Sequence, residues 1–287
     1  MKVYLKCEDW MSLGIKRVVS ALRQHLPDGV IEVETQDEAD LVVVHMVGDG
    51  QRKHWLEPSK PFAVVQYCLR TTELANTSHW IPTWEAARCV WSYYDLMSKI
   101  VEDQNVTSGI NFFHAPLGVD ARVFKPSFPM RKMFLVGTSG YIAETEGVRE
   151  CHAVAQRLHE QMFHLGPDLK LGTGITYVTS IPDSLVAEFW SQCSFVAGLR
   201  RIEGFELPVI EGLLSGARPV VFDAPHYTNW FGEFAEVVPE VDVDQVTEHL
   251  FNIMSRPVKS VTPAERSHAA QLFDWKTLVT GFWEATL

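Results

Sequence analysis

GLRRIEGFELPVIEGLLSGARPVVFD, residues 198–223, contains the order of elements from which the fold is read. The apolar run SFVAG (194–198) that enters it reads as a strand, and Pro219 to Phe222 near its far end reads as another. Between them, about Glu206 to Ser215 reads as a helix. Pro208 suits a first turn because it gives up an N–H that the helix does not use. Gly216 suits the stop because glycine enters the left-handed conformation without a side-chain penalty. Strand, loop, helix, glycine, strand is the repeat of a parallel α/β sheet. In such a sheet the loop 199–205 lies at the carboxyl edge of the strands, where open α/β folds bind ligands. The helix that follows aims its free N–H groups and its positive dipole end at the same place, which suits a diphosphate.

The rhythm extends in both directions. KVYL at the N-terminus, LVVVHMV (41–47), FAVVQY (62–67), CVWS (89–92) and NFFHA (111–115) read as strands, and Ile15, Val18, Val19, Leu22 and Leu26 share one helical face. The segment PLGVDARVFKPSFPMRK (116–132) carries four prolines or glycines and no continuous helix fits it, so it reads as an interdomain linker. A second series follows, with MFLVG (133–137), a helix from about Gly147 to His159 and another from Ser184 to Ser191. A closing helix runs from about Pro263 to the end and crosses back onto the first domain. The expectation is therefore two α/β domains, 1–117 joined by the closing helix (about 272–287), and 118–271.

Composition narrows the class. The chain has 287 residues, 46% of them hydrophobic and 21% charged, which fits a folded enzyme. No apolar stretch approaches the ~20 residues of a membrane span and the N-terminus is no signal peptide, so a cytoplasmic protein is expected, in the host cytoplasm if viral. Five scattered cysteines suit reduced buried thiols. A formal net charge of −11 disfavours non-specific attraction to DNA or anionic lipid.

The run EGFELPVIEGLLSGARPVV closely resembles the motif of glycosyltransferase family 4, retaining enzymes of the GT-B fold, in which two glutamates are separated by seven residues, here Glu203 and Glu211. LGIKRVVSALRQHL, HAPLGVDARVFKP, FLVG and FDWKTLVTGFW agree in order, so the resemblance spans nearly the whole chain. The wording GFELPVIEGLL and the short length look like compact members encoded by bacteriophages. The resemblance implies two Rossmann-like domains facing each other across a cleft, and transfer of a hexosyl or pentosyl group from a UDP- or GDP-sugar type of donor without a metal ion or other cofactor. It implies that Glu203 holds donor-sugar hydroxyls, that Glu211 holds the ribose, and that amides around Gly204, Phe205, Glu206 and Leu207 meet sugar and phosphates. Gly14, in the loop before the first helix, would let the backbone approach the diphosphate.

One departure stands out. The family places an Arg and a Lys after the first strand of the second domain, whereas this chain reads GTSGYIAETEGV (137–148), with Glu144 and Glu146 where positive charge is expected. The preferred expectation is that amides of Gly137, Thr138, Ser139 and Gly140 form an anion nest together with Arg200 or Arg201; the alternatives are that the donor is bound weakly or that the activity has been lost.

On the acceptor side, His45, Tyr67 and Arg70 follow predicted strands of the first domain, beside Gln66, and Trp80, Trp84 and Trp91 are candidates to line a groove. A satisfied core position is the plainer reading for each of these. Asp242 and Asp244 imitate a metal-binding triplet, but they precede a helical pattern in which Asp serves as an N-cap. The acceptor expected is a glycan, a lipid-linked saccharide or a small molecule. Alternatives are a hydroxymethylated base in DNA, which would require a flipped nucleotide, and a non-catalytic nucleotide-sugar-binding module.

Overall fold

Two parallel sheets of six strands each frame the protein, in a computed structural model that describes residues 1–7, 12–47, 60–69, 76–106, 109–127, 132–201 and 205–287. Contacts divide the chain into two units, Met1–Gly118 with Trp275–Leu287, and Val119–Asp274.

The first unit begins with β1 (Lys2–Leu5), α1 (Leu13–Gln24), β2 (Ile31–Glu32), β3 (Leu41–Met46) and β4 (Phe62–Gln66). It continues with α2 (Ile81–Ala86), β5 (Val90–Ser92), α3 (Leu96–Glu102) and β6 (Phe112–His114). Its sheet order is β2-β1-β3-β4-β5-β6. All six residues of β3 are buried, as expected of a central parallel strand covered on both faces. α1 is capped by Ser12 and turns Ile15, Val18, Val19, Ala21 and Leu22 inward, while Leu26 lies beyond its end. Trp80, Trp84 and Trp91 are fully buried, so they are core residues and line no groove. The Trp84 indole donates to Gln66 Oε1 at 3.0 Å and that of Trp91 to the Ala115 carbonyl at 3.0 Å.

The second unit carries β7 (Phe134–Ser139), α4 (Val148–Arg157), β8 (Met162–Leu165), β9 (Ile175–Val178), α5 (Asp183–Gln192), β10 (Cys193–Gly198) and α6 (Leu207–Ser215). Then come β11 (Arg218–Phe222), α7 (Pro225–Phe231), β12 (Glu236–Val238), α8 (Val243–Met254) and α9 (Pro263–Leu272). Its sheet order is β12-β11-β10-β7-β8-β9. α6 has Pro208 in its first turn and ends at Gly216, whose φ of 94° is left-handed. α8 is capped by Asp242, whose carboxylate accepts from the Gln245 amide at 3.0 Å.

The closing segment is two helices. α9 belongs to the second unit and α10 (Trp275–Thr286) to the first, where Trp275 and Phe282 pack on Trp91. Gly118 lies against the Trp275 ring, which would stand 2.5 Å from an added Cβ. The segment from Val119 onward is built into the second unit rather than hanging as a linker: the Val119 amide donates to the Phe273 carbonyl and Phe124 is buried. Among the described residues no helix is long and apolar enough to cross a membrane. The cysteines are free thiols, buried except for Cys7, and burial pushes that of Cys89 up to about 11.

Candidate functional site

The sheet order of the second unit fixes where a ligand would enter. β7, β8 and β9 step to one side, after which the chain returns to the other side of β7 for β10, β11 and β12. Open α/β sheets bind ligands outside the carboxyl ends of the strands at such a reversal. Here that place is bounded by the end of β7 with the loop 140–147, by Arg200 and Arg201 after β10, and by Glu206, the N-cap residue of α6.

The expected anion nest at 137–140 is corrected by the strand. β7 runs two residues past the apolar FLVG, because the buried Thr138 and Ser139 find polar partners. Thr138 Oγ1 lies 2.8 Å from His164 Nδ1, and Arg200 approaches Ser139 Oγ at 3.4 Å. Gly137, Thr138 and Ser139 are in register with β8, and the Gly140 amide donates to the Leu165 carbonyl at 3.3 Å, so these residues are engaged in sheet pairing. Gly137 is a packing glycine: an added Cβ would lie 2.5 Å from Trp190 Cζ3 and 2.9 Å from Cys193 Sγ. Gly137→Ala is therefore expected to destabilise the fold by about 1–3 kcal/mol through overpacking, seen as a lower denaturant midpoint at unchanged slope.

The amide pair that does face an anion lies one step later. Tyr141 N and Ile142 N both donate to Glu146 Oε2 at 2.6 Å, and the Glu146 side chain is 5% exposed. Gly140 has a φ of 145°, and a Cβ there would collide with the same carboxylate. Arg200 is 14% exposed, with Nε 3.6 Å from Glu146 Oε1 and 3.3 Å from Glu206 Oε2. Tyr227 donates its hydroxyl to Glu206 Oε1 at 3.0 Å. One guanidinium thus stands between two buried carboxylates. Arg201 is committed to the fold, donating to Glu150 Oε1 at 2.8 Å with its guanidinium 5.0 Å from the centre of the Phe222 ring. The His164 imidazole is held neutral by burial, its pKa lowered to about 4, with the Gly140 carbonyl opposing and Arg200 assisting.

Glu211 lies in α6, 1% exposed, and its Oε2 accepts from the Trp190 indole of α5 at 3.2 Å. Phe205 and Leu207 are buried, and the Phe205 ring packs on Phe231 and Phe273. Glu203 and Gly204 lie outside the described residues, as does Arg70.

In the first unit the order reverses between β1 and β3. His45, near the end of β3, is fully buried with Nδ1 3.0 Å from the Tyr67 hydroxyl. Burial lowers the His45 pKa to about 3 and, with Cys7 assisting, raises that of Tyr67 well above its ordinary value. Gly14 lies in the first turn of α1 rather than in the loop before it. Among the described residues no group of three or more His, Cys, Asp or Glu is placed to hold a metal ion. The roles of Trp190, Tyr227 and His164 had no sequence signal, since each depends on a partner from another element.

Neither a protein-family model nor a curated protein sequence matches the chain. Solved structures do. HepE of Anabaena, in complex with UDP and glucose, superposes with a TM-score of 0.70 at 11% identity, over 99% of this chain and 98% of that one. The chain has the GT-B fold. AviGT4, a glycosyltransferase involved in avilamycin A biosynthesis, matches with a TM-score of 0.66 at 14% identity, over 99% and 96% of the two chains. Sucrose-phosphate synthase from Thermosynechococcus elongatus matches with a TM-score of 0.66 at 16% identity, over 86% of this chain and 72% of that one. At these identities the likeness is one of fold.

Proposed function

We propose that the protein is a retaining, metal-independent glycosyltransferase that moves a hexosyl or pentosyl group from a nucleoside-diphosphate sugar to an acceptor hydroxyl. The observation that carries this reading is α6, a helix opening at the β7/β10 reversal of a GT-B chain, with Glu211 inside it and Glu203 before it in the sequence, seven residues intervening. The UDP in the HepE complex supports a uridine nucleotide as the first donor to test. Glu203 would hold donor-sugar hydroxyls and Glu211 the ribose, with Arg200 as the cation at the diphosphate.

Transfer would proceed by front-face displacement. The bond from the anomeric carbon to the leaving diphosphate breaks as the acceptor oxygen bonds to the same face, and the acceptor proton passes to the departing phosphate oxygen. The protein contributes position and charge stabilisation, at roughly 3 kcal/mol per preorganised donor. On the acceptor side the buried His45–Tyr67 pair would be neutral near pH 7, since burial lowers one pKa and raises the other.

A thermal-shift panel of UDP-, GDP- and ADP-sugars tests this directly. A donor at 100 times its dissociation constant adds about 2.7 kcal/mol of stability. Slow hydrolysis to free nucleotide, undiminished in EDTA, is expected for that donor. A panel without any shift would overturn the reading. Binding without turnover would favour the non-catalytic module, which the carboxylates around Arg200 support.

A further inference from the structure

We propose that the Glu146 carboxylate is a built-in anion occupying the phosphate's place at the β7/β10 reversal, so that donor binding requires its displacement and its charge holds donor affinity down. The inference rests on the donor reading above. Its basis is a cradle made for an anion and already filled from within. Two consecutive amides, Tyr141 N and Ile142 N, converge on one oxygen at 2.6 Å. The other oxygen faces Arg200 at 3.6 Å, and Gly140 leaves the space that the carboxylate fills.

Converging amides backed by a guanidinium are the groups that bind a phosphate oxygen. The cradle lies where the strand order reverses, the place at which this class of sheet takes ligands. A loop that needed only a cap would be served by a neutral acceptor, whereas Glu146 brings a charge 95% shielded from water into a site where Glu206 already faces Arg200. The local sum over Arg200, Glu146 and Glu206 is one negative charge. An incoming diphosphate is repelled until Glu146 swings out, after which the amides and Arg200 are released to it.

The test compares wild type with Glu146→Gln, which keeps the shape and removes the charge. Affinity for UDP, GDP, ADP and inorganic pyrophosphate is measured by calorimetry. Glu144→Gln is the control, since Glu144 is exposed and pairs with Arg149. Glu146→Gln is expected to bind at least one of these ligands tenfold or more tightly than wild type, with the control unchanged. Equal or weaker binding by Glu146→Gln, where wild type binds, overturns this proposal and leaves the donor reading standing. Absence of binding to wild type and variant alike overturns both. Should the variant fail to fold, the Tyr141 and Ile142 amide resonances of wild type decide: both are expected to shift with saturating UDP, and unmoved resonances overturn the proposal.

Discussion

Glu211→Gln is expected to lower glycosyl transfer more than tenfold while leaving the melting temperature nearly unchanged. The substitution separates two roles that the geometry allows this residue. Toward the Trp190 indole, 3.2 Å from Oε2, Glu211 acts as a hydrogen-bond acceptor, and the glutamine carbonyl oxygen supplies that bond in the same volume. As a ribose ligand it needs a charge, because a hydrogen bond to a charged group contributes about 1.5–3 kcal/mol against about 1 for a neutral one. A variant that folds and turns over like wild type would reduce Glu211 to a packing residue. Glu203→Gln is expected to behave likewise. The sign is opposite to that at Glu146, so weaker transfer from one carboxylate change and tighter binding from the other would together identify a single site.

What the sequence revealed follows from which forces are local. β3 was legible because LVVVHM is a continuous apolar run, the pattern of a strand covered on both faces. α6 was legible because Pro208 and Gly216 mark its ends by backbone chemistry alone. β8 and β9 were not, since MFHL and ITYV are four-residue strands with no strong pattern of their own. The end of β7 was hidden by Thr138 and Ser139, polar residues that stay in the strand because His164 and Arg200 meet them there. The carboxylates around Arg200 were hidden for the same reason. The lack of positive charge after β7 is visible in the sequence. That Glu146 turns back onto the Tyr141 and Ile142 amides is a product of the folded loop.

Arg218→Met is expected to destabilise the protein by about 3–5 kcal/mol, the usual cost of removing one partner from a buried ion pair. Arg218 is 3% exposed. Its guanidinium donates to the carbonyls of Phe234 at 2.7 Å and of Lys259 and Ser260 at 2.9 Å, and to both oxygens of Glu265 at 2.9 and 3.3 Å. Glu265 also closes the capping box of α9, its Oε2 accepting from the Thr262 amide at 2.6 Å, so one arginine ties the start of β11 to the entry of a helix. The hydrogen bonds from Arg218, with those from Thr262, lower the Glu265 pKa from 4.5 to about 2. A lowered carboxyl pKa gives stability that is complete above the unfolded value and is lost as pH falls through the folded one. Urea denaturation is therefore expected to show wild type weakening between about pH 5 and pH 2, with much of that slope missing in Arg218→Met. Arg218 opens β11 at the amino edge of the sheet, away from the carboxyl edge that carries the candidate site. Donor affinity measured well below the melting point is accordingly expected to match wild type, and a loss of affinity in the folded variant would mean that the two edges are coupled.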